Sequence, residues 1–218
     1  MKEIIKIVNV SKSFKNNVIF NNINLSIKKG EIVGLFGFNG SGKSVLFKLI
    51  SGIYRADSGE IFVNDKKVGI DIDFPDNLGI SVDSPGFIDV ASGFKNLKYL
   101  ADIKNIITYD DIKNIMLKVG LDPSNKTLVK NYSLGMKQKL ALAQAIMEDQ
   151  EIILLDEPFN ALDSVSYEKL INIIYELKEN NKTIILTSHN NPDMYKLCDN
   201  IYEISNKKVV HLHPKSNL

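Results

Sequence analysis

The 218-residue sequence has a single cysteine, Cys198, so it can form no internal disulfide, and the expectation is a packing role in a reducing, cytosolic setting. It also lacks a strong net charge. Lysine and arginine total 27 against 26 aspartates and glutamates, which leaves +1, and no run of five or six like charges occurs. Neither nucleic acid nor an anionic lipid surface is therefore implied as a partner. Long apolar runs are missing as well: stretches such as 152–155 and 184–186 fall far short of the roughly 20 residues that cross a bilayer. The opening Met1-Lys2-Glu3-Ile4-Ile5-Lys6-Ile7 alternates polar and apolar residues, with no apolar core of a secretory leader, and reads as a strand. Arg55 is the sole arginine in a lysine- and asparagine-rich chain, a bias to which no mechanism attaches. There is no internal repeat or low-complexity segment, which excludes a tandem duplication. The length suits one domain, 1–218, with room for an inserted subdomain.

What is present is ordered. Strands are predicted at 3–10 and 18–27, joined by the polar turn Lys15-Asn16-Asn17. Glu31-Ile32-Val33-Gly34-Leu35-Phe36 is a short apolar run; a glycine-rich turn follows, and Val45-Leu46-Phe47-Lys48-Leu49-Ile50 has helical character. A hairpin is predicted across 59–68 and a strand at 78–82. From about 86 to 148 strand signals fade and helical periodicity appears at 96–101, 111–119 and 134–147, which marks an inserted helical subdomain. Beyond it the order is strand 152–155, helix 167–178, strand 183–187, helix 193–197 and strand 200–204. The alternation predicts an α/β fold with a mostly parallel sheet flanked by helices, preceded by an antiparallel β subdomain.

Gly37-Phe38-Asn39-Gly40-Ser41-Gly42-Lys43-Ser44 fits GxxxxGK[ST] and lies between an apolar strand and a helix, the context this phosphate-binding loop requires. Glycines let backbone N–H groups turn inward around phosphate oxygens, and the helix beginning near Lys43 adds the positive end of its dipole. Lys43 supplies a full charge to the β and γ phosphates, and Ser44 places a hydroxyl where Mg²⁺ binds. Ile152-Ile153-Leu154-Leu155-Asp156-Glu157 is a buried-strand pattern ending in two acids, as in a Walker B element. At the C-terminal end of a parallel strand, Asp156 can hold Mg²⁺ through water, and Glu157 can orient or deprotonate an attacking water.

With these motifs, Tyr132-Ser133-Leu134-Gly135-Met136, followed by Lys137-Gln138-Lys139, resembles the LSGGQ signature of the ABC-type ATPases, a resemblance that extends over nearly the whole chain. Ser133 and Gly135 match, whereas Leu134, Met136 and Lys139 depart from the commonest residues in a style similar to drug and antimicrobial-peptide exporter cassettes. Ser133 can cap the helix that starts near Leu134 and offer free N–H groups to an anion. The resemblance implies a P-loop NTPase core, ATP and Mg²⁺ as cofactors, and hydrolysis driven by Glu157. His189, in Thr187-Ser188-His189, takes the place of the switch histidine at the γ-phosphate. It further implies that Asn160-Ala161-Leu162-Asp163 forms the D-loop reaching to a second nucleotide-binding subunit, in a homodimer or heterodimer. Phe14 takes the place of the adenine-stacking aromatic, and Val18 lines the same pocket. Val45 stands where the family often has threonine, leaving backbone contacts near the α-phosphate. Asp83 stands where glutamine is usual, which implies an outer-sphere Mg²⁺ contact.

The resemblance implies a subunit at the cytoplasmic face of the membrane, held there by a separate polytopic membrane partner that contacts the 85–100 region and carries the cargo, by export of a peptide, drug or lipid. Two other readings stay open: a soluble ABC-type ATPase without a transport role, and a regulatory ATP-binding module. Against the first, the chain has no long coiled coil between its motifs and no second cassette. Against the second, it has Glu157 and His189. The pair His211 and His213 is assigned to a solvated tail, since neither an acid nor a cysteine accompanies it as a metal ligand.

Overall fold

The computed structural model describes residues 2–82, 86–188 and 194–212. The chain opens with the paired strands β1 (Glu3–Phe14) and β2 (Asn17–Lys28), followed by β3 (Ile32–Phe36), α1 (Lys43–Ile50), β4 (Ser58–Val63), β5 (Lys66–Lys67) and β6 (Leu78–Ser81). A helical stretch follows: α2 (Gly93–Lys104), α3 (Tyr109–Val119), a 3₁₀ turn (Val129–Asn131) and α4 (Leu134–Ile146). Then come β7 (Ile152–Leu155), α5 (Ser164–Glu179), β8 (Thr183–Ser188), α6 (Met194–Leu197), β9 (Asn200–Ser205) and β10 (Lys208–Leu212). One sheet has four strands in the order β2-β1-β4-β5, all antiparallel. The other has six, β10-β9-β3-β8-β7-β6, parallel except for the β9–β10 pair.

Period-two alternation sorts the apolar residues of the six-stranded sheet into two cores. On one face Val33, Leu35, Ile152, Leu154 and Ile185 meet Leu46, Phe47 and Ile50 of α1 and, beyond it, Ile5, Ile7, Phe20 and Ile27 of the antiparallel sheet. α1 is thus filling between two sheets, which is why its Leu46, Phe47, Leu49 and Ile50 are fully buried. On the other face Ile153, Leu155, Ile184 and Leu186 pack with Leu97 of α2, Leu140 and Ala143 of α4, and Leu170 and Ile174 of α5. A strand covered on both sides reads as an unbroken apolar run, as β7 does. Truncating Ile153 or Leu154 to alanine should cost about 2–5 kcal/mol, since each leaves a void in a different core. At Gly79 in β6 even a methyl group is excluded, because a Cβ there would sit 1.8 Å from the Ala145 carbonyl oxygen of α4. Cys198 packs against Gly34, whose Cβ would come within 3.0 Å of its Sγ. Burial, with Asp199 adding repulsion, pushes the thiol up to about 12.

Side-chain caps set where the helices begin. α2 starts at Gly93, earlier than the apolar spacing predicts, because the Ser92 side chain accepts from the Lys95 amide at 3.3 Å. Thr108 and Asp111 form a reciprocal capping box at α3. α5 starts at Ser164 because Asp163 accepts from the Ser166 amide at 2.8 Å.

The chain end requires a correction. His211 is exposed but lies in no tail: it belongs to β10, opposite Tyr202 of β9, with its Nε2 3.0 Å from Asn200 Oδ1 and its ring centroid 4.8 Å from that of Tyr202. The hairpin turns on Asn206 and Lys207, both at positive φ (48° and 63°), a primed turn that the dipeptide Asn-Lys does not advertise. His213 lies outside the described residues.

Candidate functional site

β3, β8 and β7 are neighbours and parallel, with Phe36 opposite Ser188 and Leu155 opposite Leu186, so their C-terminal ends open at one edge of the sheet. The segments that follow β3 and β7 converge there, beside the end of β8. After β3 comes the 37–44 loop. Gly42 is the N-cap of α1 at φ 112°, and a Cβ on it would stand 2.8 Å from both Ile19 Cγ2 and Phe20 Cζ, so the loop is seated on β2. Gly40 also has positive φ (81°), but there a Cβ would meet nothing. Phe38, Asn39 and Gly40 are exposed, Ser41 is half-buried, and Val45, also half-buried, lies in the first turn of α1. The buried Lys43 donates to the Gly37 carbonyl at 2.7 Å and lies 3.3 Å from Glu157 Oε1.

The two acids after β7 are gripped differently. Asp156 accepts from Ser44 Oγ on one oxygen and from Thr187 Oγ1 on the other, each at 2.5 Å. Thr187 Oγ1 in turn accepts from the Glu157 amide at 2.8 Å. Thr187, fully buried at the end of β8, therefore links both acids, while Ser44 ties Asp156 to the phosphate loop. Glu157 has φ 49°, a conformation that costs a non-glycine residue of order 1 kcal/mol and turns the chain sharply after the strand.

The oxygens around Asp156 suit a hard cation. Mg²⁺ typically takes one or two carboxylates and completes its octahedron with water and substrate phosphate, so one carboxylate beside one hydroxyl fits it better than a dedicated protein cage. Among the described residues no cluster of three or more His, Cys, Asp or Glu forms such a cage.

At the other end, Phe14 closes β1, 38% exposed, with its ring edge-on to Tyr54 at a centroid distance of 5.2 Å. Val18 lies on the paired strand β2, opposite Ser13. Ser133 is the N-cap of α4, accepting from the Met136 amide at 3.2 Å; Leu134 is exposed and Met136 is partly buried. A Cβ on Gly135 would lie 2.9 Å from the Ala161 carbonyl oxygen, so the start of α4 rests on the 160–163 segment of the same chain. There Asn160 donates its amide to the Glu157 carbonyl at 3.1 Å, Ala161 has φ 59°, Leu162 is partly buried, and Asp163 caps α5. Hydrogen bonds from the Ser166 amide and hydroxyl hold the Asp163 carboxyl below its usual range. Asp83 and His189 lie outside the described residues.

Thr187 and Tyr54 reach the site with no role assigned to them from sequence. The only signal for Thr187 is a hydroxyl that directly follows the apolar run Ile184-Ile185-Leu186, where burial obliges it to find a partner; for Tyr54 there is none.

The ABC transporter family model matches residues 20–160. YybJ of Bacillus subtilis (strain 168), described as an uncharacterized ABC transporter ATP-binding protein, is 38% identical over 94% of each chain. SrtF of Streptococcus pyogenes, a lantibiotic transport ATP-binding protein, is 32% identical over 94% of this chain and 89% of its own. Among solved structures, the dimeric ABC transporter cassette MJ0796 superposes with a TM-score of 0.85 at 24% identity, covering 94% of this chain and 96% of that one, which establishes a shared fold.

Proposed function

We propose, on the premise that this chain belongs to the ABC transporter family as an ATP-binding and ATP-hydrolysing subunit, that it works as one of a pair of cassettes powering export through a separate membrane protein. The convergence of Lys43, Ser44, Asp156 and Glu157 at one sheet edge carries the reading of the site. ATP phosphates lie against the N–H groups of residues 37–44 and the N-terminus of α1, with the Lys43 charge at the β and γ groups and the Val45 backbone near the α group. The Ser44 hydroxyl and Asp156 would hold Mg²⁺, with Asp83 assigned an outer-sphere contact, and the bound ion would neutralise phosphate charge. Glu157 orients the attacking water and takes its proton, and His189 touches the γ-phosphate. Phe14 stacks on the base beside Val18.

Ser133, Leu134, Gly135 and Met136 face the ATP of the second cassette, and residues 160–163 cross toward it. Closure of the pair then depends on ATP, and hydrolysis removes the closing force. The helical segment 86–148 works as a subdomain that meets the membrane partner. A groove between this segment and the end of β6, with Ile80, Val82, Phe87, Ile88, Tyr99 and Leu100 in its lining, supports this placement. No helix of the described residues is long and apolar enough to cross a membrane; the place we assign the chain is the cytoplasmic face, as a peripheral subunit held by that partner. The cargo class we favour is an antimicrobial peptide or drug, on the lantibiotic transport role of SrtF and the variant signature 132–136.

Glu157→Gln tests the assignment, since the amide keeps the shape of the side chain but cannot act as a base. ATP binding should persist, turnover should fall at least a hundredfold, the low end of the range for general-base removal, and sedimentation with ATP and Mg²⁺ should show an increased dimer population. Near-normal turnover, or no gain in dimer, would overturn it.

A further inference from the structure

The register of β1 on β2 breaks as the strand approaches Phe14, shifting between Val10 and Lys12 and again between Lys12 and Ser13. The ladder resumes only in its last two pairs, Ser13 with Val18 and Phe14 with Asn17, so a break separates Phe14 from the regular pairing of the strand and its placement needs a further constraint. One residue supplies that constraint. Asp57, just before β4, accepts from Lys12 Nζ at 2.7 Å on one carboxylate oxygen and from the Ser13 amide at 2.6 Å on the other, while its own amide donates to the Ser11 carbonyl at 3.0 Å. Three successive residues of β1 are thereby tied to a single position.

The consequence passes to the ring. Lys12 is only 13% exposed, and its ammonium stands 5.1 Å from the Phe14 centroid. Phe14 meets Tyr54 edge-on, and Lys48 of α1 lies 5.3 Å from the Tyr54 centroid, so the aromatic pair is held between two lysines. Such contacts fix ring orientation, because a cation prefers the ring face and a second ring prefers an edge-to-face approach.

We propose that Asp57 is a positioning residue for the nucleotide base, tying Lys12 and the Ser13 amide so that the Phe14 ring, braced by Tyr54, stands where adenine stacks. The inference rests on the reading of Phe14 as the base-stacking side chain. The Lys12 hydrogen bond, and then that from Ser13, hold the Asp57 carboxyl below its usual range, so the clamp stays charged at working pH.

The test separates base from phosphate. ATP affinity is measured on the full chain with Mg²⁺, alongside inorganic tripolyphosphate as a probe that carries phosphates but no base. Phe14→Ala sets the scale, with an expected loss in ATP affinity of about tenfold, the low end of base–aromatic stacking. Asp57→Ala should approach that loss, and Asp57→Asn, which keeps one acceptor, should lose about threefold, with KM for ATP rising and kcat at saturation preserved. Tripolyphosphate affinity should not change in either Asp57 variant. The Phe14→Ala/Asp57→Ala double variant should be no weaker than Phe14→Ala alone, because Asp57 acts through the ring. If Phe14→Ala weakens ATP and the Asp57 variants do not, Asp57 has no positioning role and the stacking reading stands. If tripolyphosphate weakens in step with ATP, Asp57 is a general structural support and the proposal fails. If Phe14→Ala leaves ATP affinity unchanged, the stacking reading itself is wrong and the positioning role falls with it.

Discussion

Replacing Thr187 by valine isolates the hydroxyl that joins the two acids, because valine keeps the shape and the branching of threonine. Thr187 is fully buried, donates to Asp156 at 2.5 Å and accepts from the Glu157 amide at 2.8 Å. A hydrogen bond to a charged group contributes about 1.5–3 kcal/mol, and a buried N–H left without its acceptor costs about 1–3 kcal/mol. Asp156 and Glu157 are themselves half-buried and can recruit water in compensation, so the net loss should be about 2–4 kcal/mol. Thr187→Ser is the control: it keeps the hydroxyl and removes one methyl group, at about 1 kcal/mol. For a chain of this size the difference between the two variants corresponds to roughly 3–10 °C in melting temperature. Thermal unfolding of both variants at the same ATP concentration, with turnover measured in parallel, decides the matter. Valine should be the less stable and nearly inactive, whereas serine should turn over at close to the normal rate. Equal melting temperatures together with equal turnover would refute the argument and leave Thr187 as core filling.

Gly42→Ala should weaken ATP binding at least tenfold and destabilise the fold by more than about 1 kcal/mol, combining a left-handed backbone with a Cβ pressed on β2; Gly40→Ala incurs only the backbone cost and should be milder in both titration and unfolding. Glu151 carries the pH prediction: its carboxyl lies below the ordinary 4.5, chiefly through the Lys29 hydrogen bond and also through Asn64, with burial opposing. A depressed folded value means stability that is present above the unfolded value and lost as pH falls through the folded one, so Glu151→Gln should flatten the decline in melting temperature between about pH 6 and about pH 3. The effect should stay below about 1 kcal/mol, because the pair is partly exposed and screened.

The two-sided burial of β7 and the loop after β3 were legible because each is a contiguous pattern whose chemistry depends on nearest neighbours. Features that depend on partners far along the chain were not. β1 runs on to Phe14, beyond its predicted end at Val10, because Asn9 and, on the paired strand, Asn22, at φ 52° and 53°, lie at register shifts that interrupt the alternation on which strand reading depends. β10 was missed because its turn uses Asn206 and Lys207 without glycine. α2 begins before its first periodic apolar residue because Ser92 caps it. At the site, Asp156 and Glu157 announce themselves as acids at the end of an apolar run, but Thr187 lies on another strand and Asp57 reaches Lys12 from just before β4. No spacing rule connects either one to the residue it holds.

The seating of Gly42 on Ile19 and Phe20 has an evolutionary consequence. A bulkier residue in the N-terminal hairpin can displace the phosphate loop although the hairpin contributes no group to phosphate chemistry, so harmful variation at Ile19 or Phe20 should appear as an ATPase defect. Conversely, the loop cannot drift alone. Grafting residues 37–44 from a relative with a differently shaped β2 should fail unless the hairpin is carried with them, and in any set of homologues the residues at 19 and 20 should covary with the bulk tolerated beneath the loop.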